Sequence, residues 1–311
     1  VTIQLHAPGP DPVKLAPVRP SAGVRAWYEK QLTKLVGEMF RDVASELVPL
    51  YSRADREGPI TWATFPHGEM NHKLSNLEEK WVEICNERAL SIAFEAVYMA
   101  LRHHDLAFAD ALKKVGIQVP PPTVLGDRTA VTMDSIADTE HIWRKFAVKF
   151  DMTDRLKQTI KNQLKDNVDL ISNRRIKDGP SIPKKAFGEI RKMAKESIEK
   201  GRDVVGFTKN LEDRFGVTRR RAALIARDQN NKMTALFHRT RQLDCGITEA
   251  EWQHTGASLH PREEHEDFDG QSYPVDEGHD FDDGFGLVLP GEAINCGCLS
   301  SSIIPGYRSV K

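Results

Sequence analysis

The sequence predicts an α+β chain, with a mainly helical N-terminal region followed by a smaller α+β C-terminal domain that carries a loop-rich His/Cys segment. Three observations point there. Apolar residues recur at three- and four-residue spacing from Trp27 to Val168. The run Asn173-Arg174-Arg175-Ile176-Lys177-Asp178-Gly179-Pro180 interrupts that pattern, and short basic helical stretches follow it. From Trp252 to Cys298 the spacing gives way to Gly, Pro, Asp and His, a composition of strands and ordered loops rather than helix. A chain of 311 residues can bury two cores. The expected division is an extended Pro-rich arm over 1–22, a helical domain over 23–172 and a C-terminal domain over 173–311.

The five prolines of the arm (Pro8, Pro10, Pro12, Pro17, Pro20) remove backbone donors and fix φ, so it cannot fold alone. It is either a disordered tail or a strap that orders on a neighbouring subunit. Tyr28, Leu32, Leu35, Met39, Val43 and Leu47 form one stripe of a helix from Trp27 to Leu47, with Pro49 as its stop. A second helix is expected over roughly Ser75–His103, on Leu77, Trp81, Ile84, Ala89, Phe94, Val97 and Leu101, with a kink near Asn86. A shorter one follows over Leu106–Val115, ending at Gly116, and Pro120-Pro121-Pro122 enforces an extended connector. Helical spacing resumes at Ile136, Trp143, Phe146, Phe150, Leu156, Ile160, Leu164 and Val168, consistent with a bundle.

Beyond the break, Lys184–Glu199 and Val204–Phe215 read as two basic helices. Thr218 is placed to cap a third, with Ala223, Ile225, Ala226, Met233 and Phe237 on its apolar side. Arg219, Arg220 and Arg221 would then oppose the macrodipole of its first turn. Contact with a phosphate backbone or an acidic partner would explain them, and so would a solvated turn.

The 44 basic and 45 acidic residues nearly cancel, but they are segregated. From Arg174 to Arg227 there are sixteen Lys/Arg against seven Asp/Glu, and from Glu249 to Glu292 thirteen Asp/Glu against Arg262 alone. Such a chain suits docking into a charged assembly or against nucleic acid. Four cysteines, two of them isolated, do not make a disulfide framework, and no stretch has membrane-spanning length and apolarity. A soluble protein made in a reducing cytoplasm is expected.

Within the loop-rich segment Cys296 and Cys298 are one residue apart, a spacing at which two thiolates repel and a disulfide is strained. A zinc ion resolves both, with His265 as third ligand, His260 as fourth, and His254 and His279 as alternates. With so little apolar material around it, such an ion would be structural rather than catalytic. The plainer alternative is two buried cysteines, with His265 hydrogen-bonded to a carbonyl or to Asp269. Arg262 is expected to pair with an aspartate of the loop.

The succession Trp252, Arg262, His265, Asp269-Gly270, Pro290-Gly291-Glu292 and Asn295-Cys296-Gly297-Cys298 resembles the Mu F-like family of phage head morphogenesis proteins. The resemblance covers roughly residues 185–300 and includes Ile225-Ala226-Arg227-Asp228-Gln229, which is similar to an Ile-Ala-Arg-Thr-Glu segment of the family. Gly297 stands where the family commonly has Arg, and Ser258 near a usual acidic position. The resemblance implies a minor capsid protein at the portal vertex inside the virion head, made in the host cytoplasm. Its implied partners are portal protein, major capsid protein and packaged DNA, with no membrane and no enzymatic activity. Two other readings are a metal-dependent hydrolase or nuclease using His260, His265 and Glu264 or Asp269, and a toxin-like transferase. For the transferase the sequence offers no phosphate-cradling Gly-rich loop and no Glu-x-Glu.

Overall fold

A computed structural model describes residues 11–54, 67–119, 150–172, 182–199, 204–256, 261–282 and 286–304. Its long helices are α1 (Ala22–Ala54), α2 (His67–Lys114), α3 (Asp154–Ile171), α4 (Ile182–Glu199) and α5 (Val204–Asp244). Then come β2 (Glu249–Gln253), the one-turn α6 (Glu263–Asp267), β3 (Ser272–Pro274), β4 (His279–Asp280), β5 (Leu287–Val288) and β6 (Leu299–Ile304); β1 (Val13–Lys14) precedes α1. The α+β reading holds. The chain forms two compact units, one of residues 27–93 and 165–226, the other of 1–26, 94–164 and 227–311. Each therefore combines segments from both sides of the expected boundary at 173–180, which itself lies outside the described residues.

The first unit is helical and stands on apolar stripes. The six stripe residues predicted for α1 are all buried, joined by Val36, Phe40 and Leu50. Leu74, Leu77, Trp81, Cys85 and Ala89 of α2 and Ile182, Phe187, Ile190 and Ala194 of α4 supply further buried faces. Polar groups at the margins are paired: Asp42 Oδ2 accepts from Trp81 Nε1 at 2.7 Å and from Lys80 at 2.8 Å. Tyr28 donates its buried hydroxyl to Asn167 at 2.7 Å.

Several predicted helix ends are absent. Helix α1 runs through Pro49. Proline there leaves the Ser45 carbonyl without its helical donor, but Pro49 and Ser45 are both exposed to water and Leu50 anchors the next turn in the core. Helix α2 is continuous where a break was expected at His104-Asp105, because both side chains are buried and satisfied rather than solvated. Helix α5 likewise passes through Gly216 and Thr218. Thr218 is no cap: its hydroxyl donates to the Arg214 carbonyl at 2.9 Å, a bond within the helix. Arg219, Arg220 and Arg221 consequently sit mid-helix, where the macrodipole argument does not apply. On the buried side Ala222 takes the place expected for Ala223. Ile136, Trp143 and Phe146 lie outside the described residues.

The second unit holds an antiparallel sheet of order β1-β6-β2-β3 and a separate β4-β5 ribbon. The arm contributes directly. Val13 pairs with Ile304, the Leu15 amide donates to Ser302 at 2.9 Å, and Ser301 donates to the Leu15 carbonyl at 2.6 Å. Leu15 and Val18 are buried with Phe108, Leu112, Ile117, Phe150, Ile247 and Ile304. Residues 11–18 are thus a strap on their own chain, an option beyond the two expected; residues 1–10 lie outside the described set.

Candidate functional site

The Trp252–Cys298 segment is richer in core than its composition suggests. Trp252, fully buried on β2, meets the rings of His265, Phe268, Tyr273 and Phe281 edge-on at 5.0–5.9 Å between centroids. Val275 and Leu289 complete the cluster. His279 stacks on Phe268 at 3.8 Å, so this alternate ligand is a ring of the aromatic cluster instead.

Into this cluster α6 delivers His265. Pro261 precedes the helix, and Glu263, Glu264 and Glu266 in its one turn complement the N-terminal dipole. A helix was not expected here. His265 is buried, stacked on Phe281 at 4.4 Å, with Nδ1 3.6 Å from Cys296 Sγ and 3.7 Å from Cys298 Sγ. The ligand atoms of these three residues all lie within 4.8 Å of one another. His254, at the end of β2, brings its Nδ1 to 3.8 Å from Cys298 Sγ. His260 lies outside the described residues. All four cysteines of the chain are free thiols.

The two sulfurs differ in charge. A hydrogen bond from the Cys298 thiol outweighs burial, and His265 adds to it, so Cys296 is held well below the ordinary thiol range. Cys298, hydrogen-bonded to that thiolate and buried, is pushed far above the ordinary thiol range. Cys85 and Cys245 are pushed up to about 12 by burial and are inert thiols.

The remaining motif residues hold the Leu289–Cys298 loop by its backbone. Glu292 accepts from the Leu289 amide at 3.2 Å, Arg262 donates to the Ile294 carbonyl at 3.3 Å, and Thr255 to that of Gly297 at 2.7 Å. From α5, Asp228 accepts from the Asn295 amide at 2.7 Å and Asn231 donates to the Cys296 carbonyl at 3.0 Å. Arg262 therefore clamps a carbonyl and not the aspartate expected. Asn295 sits at φ 60°, a left-handed conformation that Asn tolerates. Gly291, at φ 85°, could not carry a Cβ without bringing it within 3.1 Å of the Cys298 carbonyl. Asp269 accepts from the His254 amide at 2.7 Å, and the Gly270 amide donates to Trp252 at 2.8 Å, which seats the Asp-Gly turn on β2. Asp269 is thus the partner of a backbone amide, not of His265.

A polar network in the same unit escaped the sequence reading. Arg241 grips Asp105 through Nε at 3.0 Å and Nη2 at 2.7 Å, both residues fully buried, and donates to the Asp151 carbonyl at 2.7 Å. Asp105 faces His104 at 3.2 Å, His104 faces His238 at 3.1 Å, and His238 lies 3.4 Å from Ser302. Gln242 donates to Ser302 at 2.8 Å and to Ser300 at 3.1 Å. Burial holds both imidazoles below the ordinary 6.5. The count of donors is met if His104 donates to Asp105, His238 to His104 and Ser302 to His238. The available signal was Arg241 itself, one turn on from Phe237 in the buried stripe Met233-Phe237-Arg241.

No curated protein matches the chain, and no solved structure does. Among the described residues no helix is long and apolar enough to cross a membrane. The family model described as Phage Mu protein F like protein matches residues 188–301, from within α4 into β6, and through that region the chain is similar to this family.

Proposed function

We propose that the protein is a minor capsid, head morphogenesis component of a tailed bacteriophage. It resides in the virion, inside the head at the portal vertex, and supports head assembly with a further part in genome packaging or ejection. The observation that carries this reading is the family match, which spans the whole Trp252–Cys298 site. Portal protein and major capsid protein are its partners. Arg219 and Arg220, exposed on α5, are the candidates for contact with packaged DNA.

The site's polar groups favour a structural part over hydrolysis. Arg262, Asp228, Asn231, Thr255, Glu292 and Asp269 are each engaged with backbone. Of the carboxylates a hydrolase would need, Asp269 is bonded to an amide and Glu264 is exposed on α6.

Mild disruption of purified particles, with the protein quantified against portal and major capsid protein, tests the reading. It should release with portal at low copy, and particles assembled without it should keep both other proteins but lose infectivity or yield. Recovery only in free lysate, with none in particles, contradicts it. The DNA contact has its own test. Affinity should fall with salt at a slope of about −0.9 in log–log terms per phosphate neutralised, and salt-independent binding would exclude it.

A further inference from the structure

We propose that His254, His265, Cys296 and Cys298 form a closed tetrahedral zinc centre, with His254 rather than His260 as the fourth ligand. The proposal goes beyond the virion reading and stands or falls separately from it. A tetrahedron with bonds of about 2.0–2.3 Å places its ligand atoms roughly 3.3–3.8 Å apart. His265 Nδ1 lies 3.6 Å and 3.7 Å from the two sulfurs, and His254 Nδ1 lies 3.8 Å from Cys298. Three donors, His265 Nδ1 and the two sulfurs, lie within 4.8 Å of one another, and His254, which is outside that group and near Cys298 alone, would turn in from the end of β2 to complete the four.

Charge agrees with geometry. Cys296, Cys298 and His265 are buried. Two thiolates, two neutral imidazoles and a divalent cation sum to zero, which a buried site tolerates; two thiolates alone do not. Two sulfurs with two imidazoles select zinc over magnesium, calcium or manganese, which prefer oxygen. Four protein donors leave no place for water, so the ion's part is to fold.

The surroundings fit as well. Glu266 Oε1 lies 3.5 Å from His254 Nε2, beyond a formed hydrogen bond but placed as the carboxylate that orients a metal-bound imidazole. The buried Trp252 indole N–H has no formed hydrogen bond. Because α5 holds Asn295 and Cys296 through Asp228 and Asn231, the ion would lock the loop to that helix.

The test uses the full chain, purified without chelator and titrated with zinc, then with cobalt(II) as a spectroscopic probe. One equivalent of zinc is expected, with X-ray absorption showing two sulfurs at about 2.3 Å and two nitrogens at about 2.0–2.1 Å. Cobalt should give tetrahedral ligand-field bands and thiolate charge transfer. His254→Ala should weaken zinc binding by more than about tenfold, the loss that removal of even an indirect partner produces. His260→Ala should leave it unchanged. His254→Cys guards against simple misfolding, because it should keep the ion and raise the sulfur count from two to three. Less than about a tenth of an equivalent at zinc saturation overturns the site. An unchanged sulfur count in His254→Cys, or a loss in His260→Ala matching that in His254→Ala, overturns His254 as ligand.

Discussion

The helical unit of residues 27–93 and 165–226 and the Trp252–Cys298 region are held by different physics. In the first, helices bury periodic apolar stripes, and polar pairs such as Lys80–Asp42 lie at the margin. In the second, strands of two to five residues carry little periodicity. One aromatic cluster, two thiols, two imidazoles and a set of side-chain-to-backbone clamps fix the chain. Apolar burial is distributed and forgiving of a single loss. A clamped loop depends on each clamp, and a buried charge depends on its one partner.

The largest effect should come from the buried pair that supports the sheet. Asp105→Asn leaves Arg241 as an uncompensated buried charge and should cost about 3–5 kcal/mol in denaturant unfolding. Replacing both residues with apolar ones should cost much less; equal costs would mean the pair matters by packing alone. Leu32→Ala in the helical unit should cost about 2–5 kcal/mol through its cavity. That loss should not depend on pH between 5 and 7, which separates it from the next case.

His104 and His238 titrate below the ordinary 6.5 because burial penalises the imidazolium. The unfolded chain then binds protons that the folded chain does not, so their contribution is complete above pH 6.5 and is lost as pH falls below it. Melting followed by Trp252 fluorescence, in a variant lacking the other tryptophans, should shift down between pH 7 and 5. An unchanged midpoint would show that neither ring resists protonation.

These contrasts mirror what could be read from the sequence. Every stripe residue named on α1 is buried, because a 3.6-residue period states which face is covered. Helix ends were harder. His104-Asp105 looked like a polar break because Arg241, 136 residues away, satisfies the carboxylate. Thr218 looked like a cap because its bond to Arg214 is equally local. In the site, the groups that the motif residues hold were not legible in the sequence. Arg262, Asp269 and Asp228 all find backbone partners that only the folded loop brings near. His254 was an alternate ligand because spacing alone does not show where β2 ends.

Smaller effects sharpen the comparison at single positions. Gly291→Ala should cost about 1–2 kcal/mol from its left-handed backbone alone, and more from the contact with the Cys298 carbonyl. A neutral result would mean the turn opens freely. Thr218→Ala should change stability by about 0.5 kcal/mol or less, since no cap is lost. A cost of about 1 kcal/mol or more would restore a helix start at that residue.

The most direct test is hydrogen exchange on the full chain, comparing wild type with Cys296→Ser. Amides of residues 262–270 and 289–298 should lose protection while those of α1 from Leu32 to Leu47 keep theirs. That pattern would show a region fixed by its sulfur and imidazole contacts beside one fixed by apolar stripes. Unchanged exchange in both regions would contradict this, as would an equal loss across α1 and the loop.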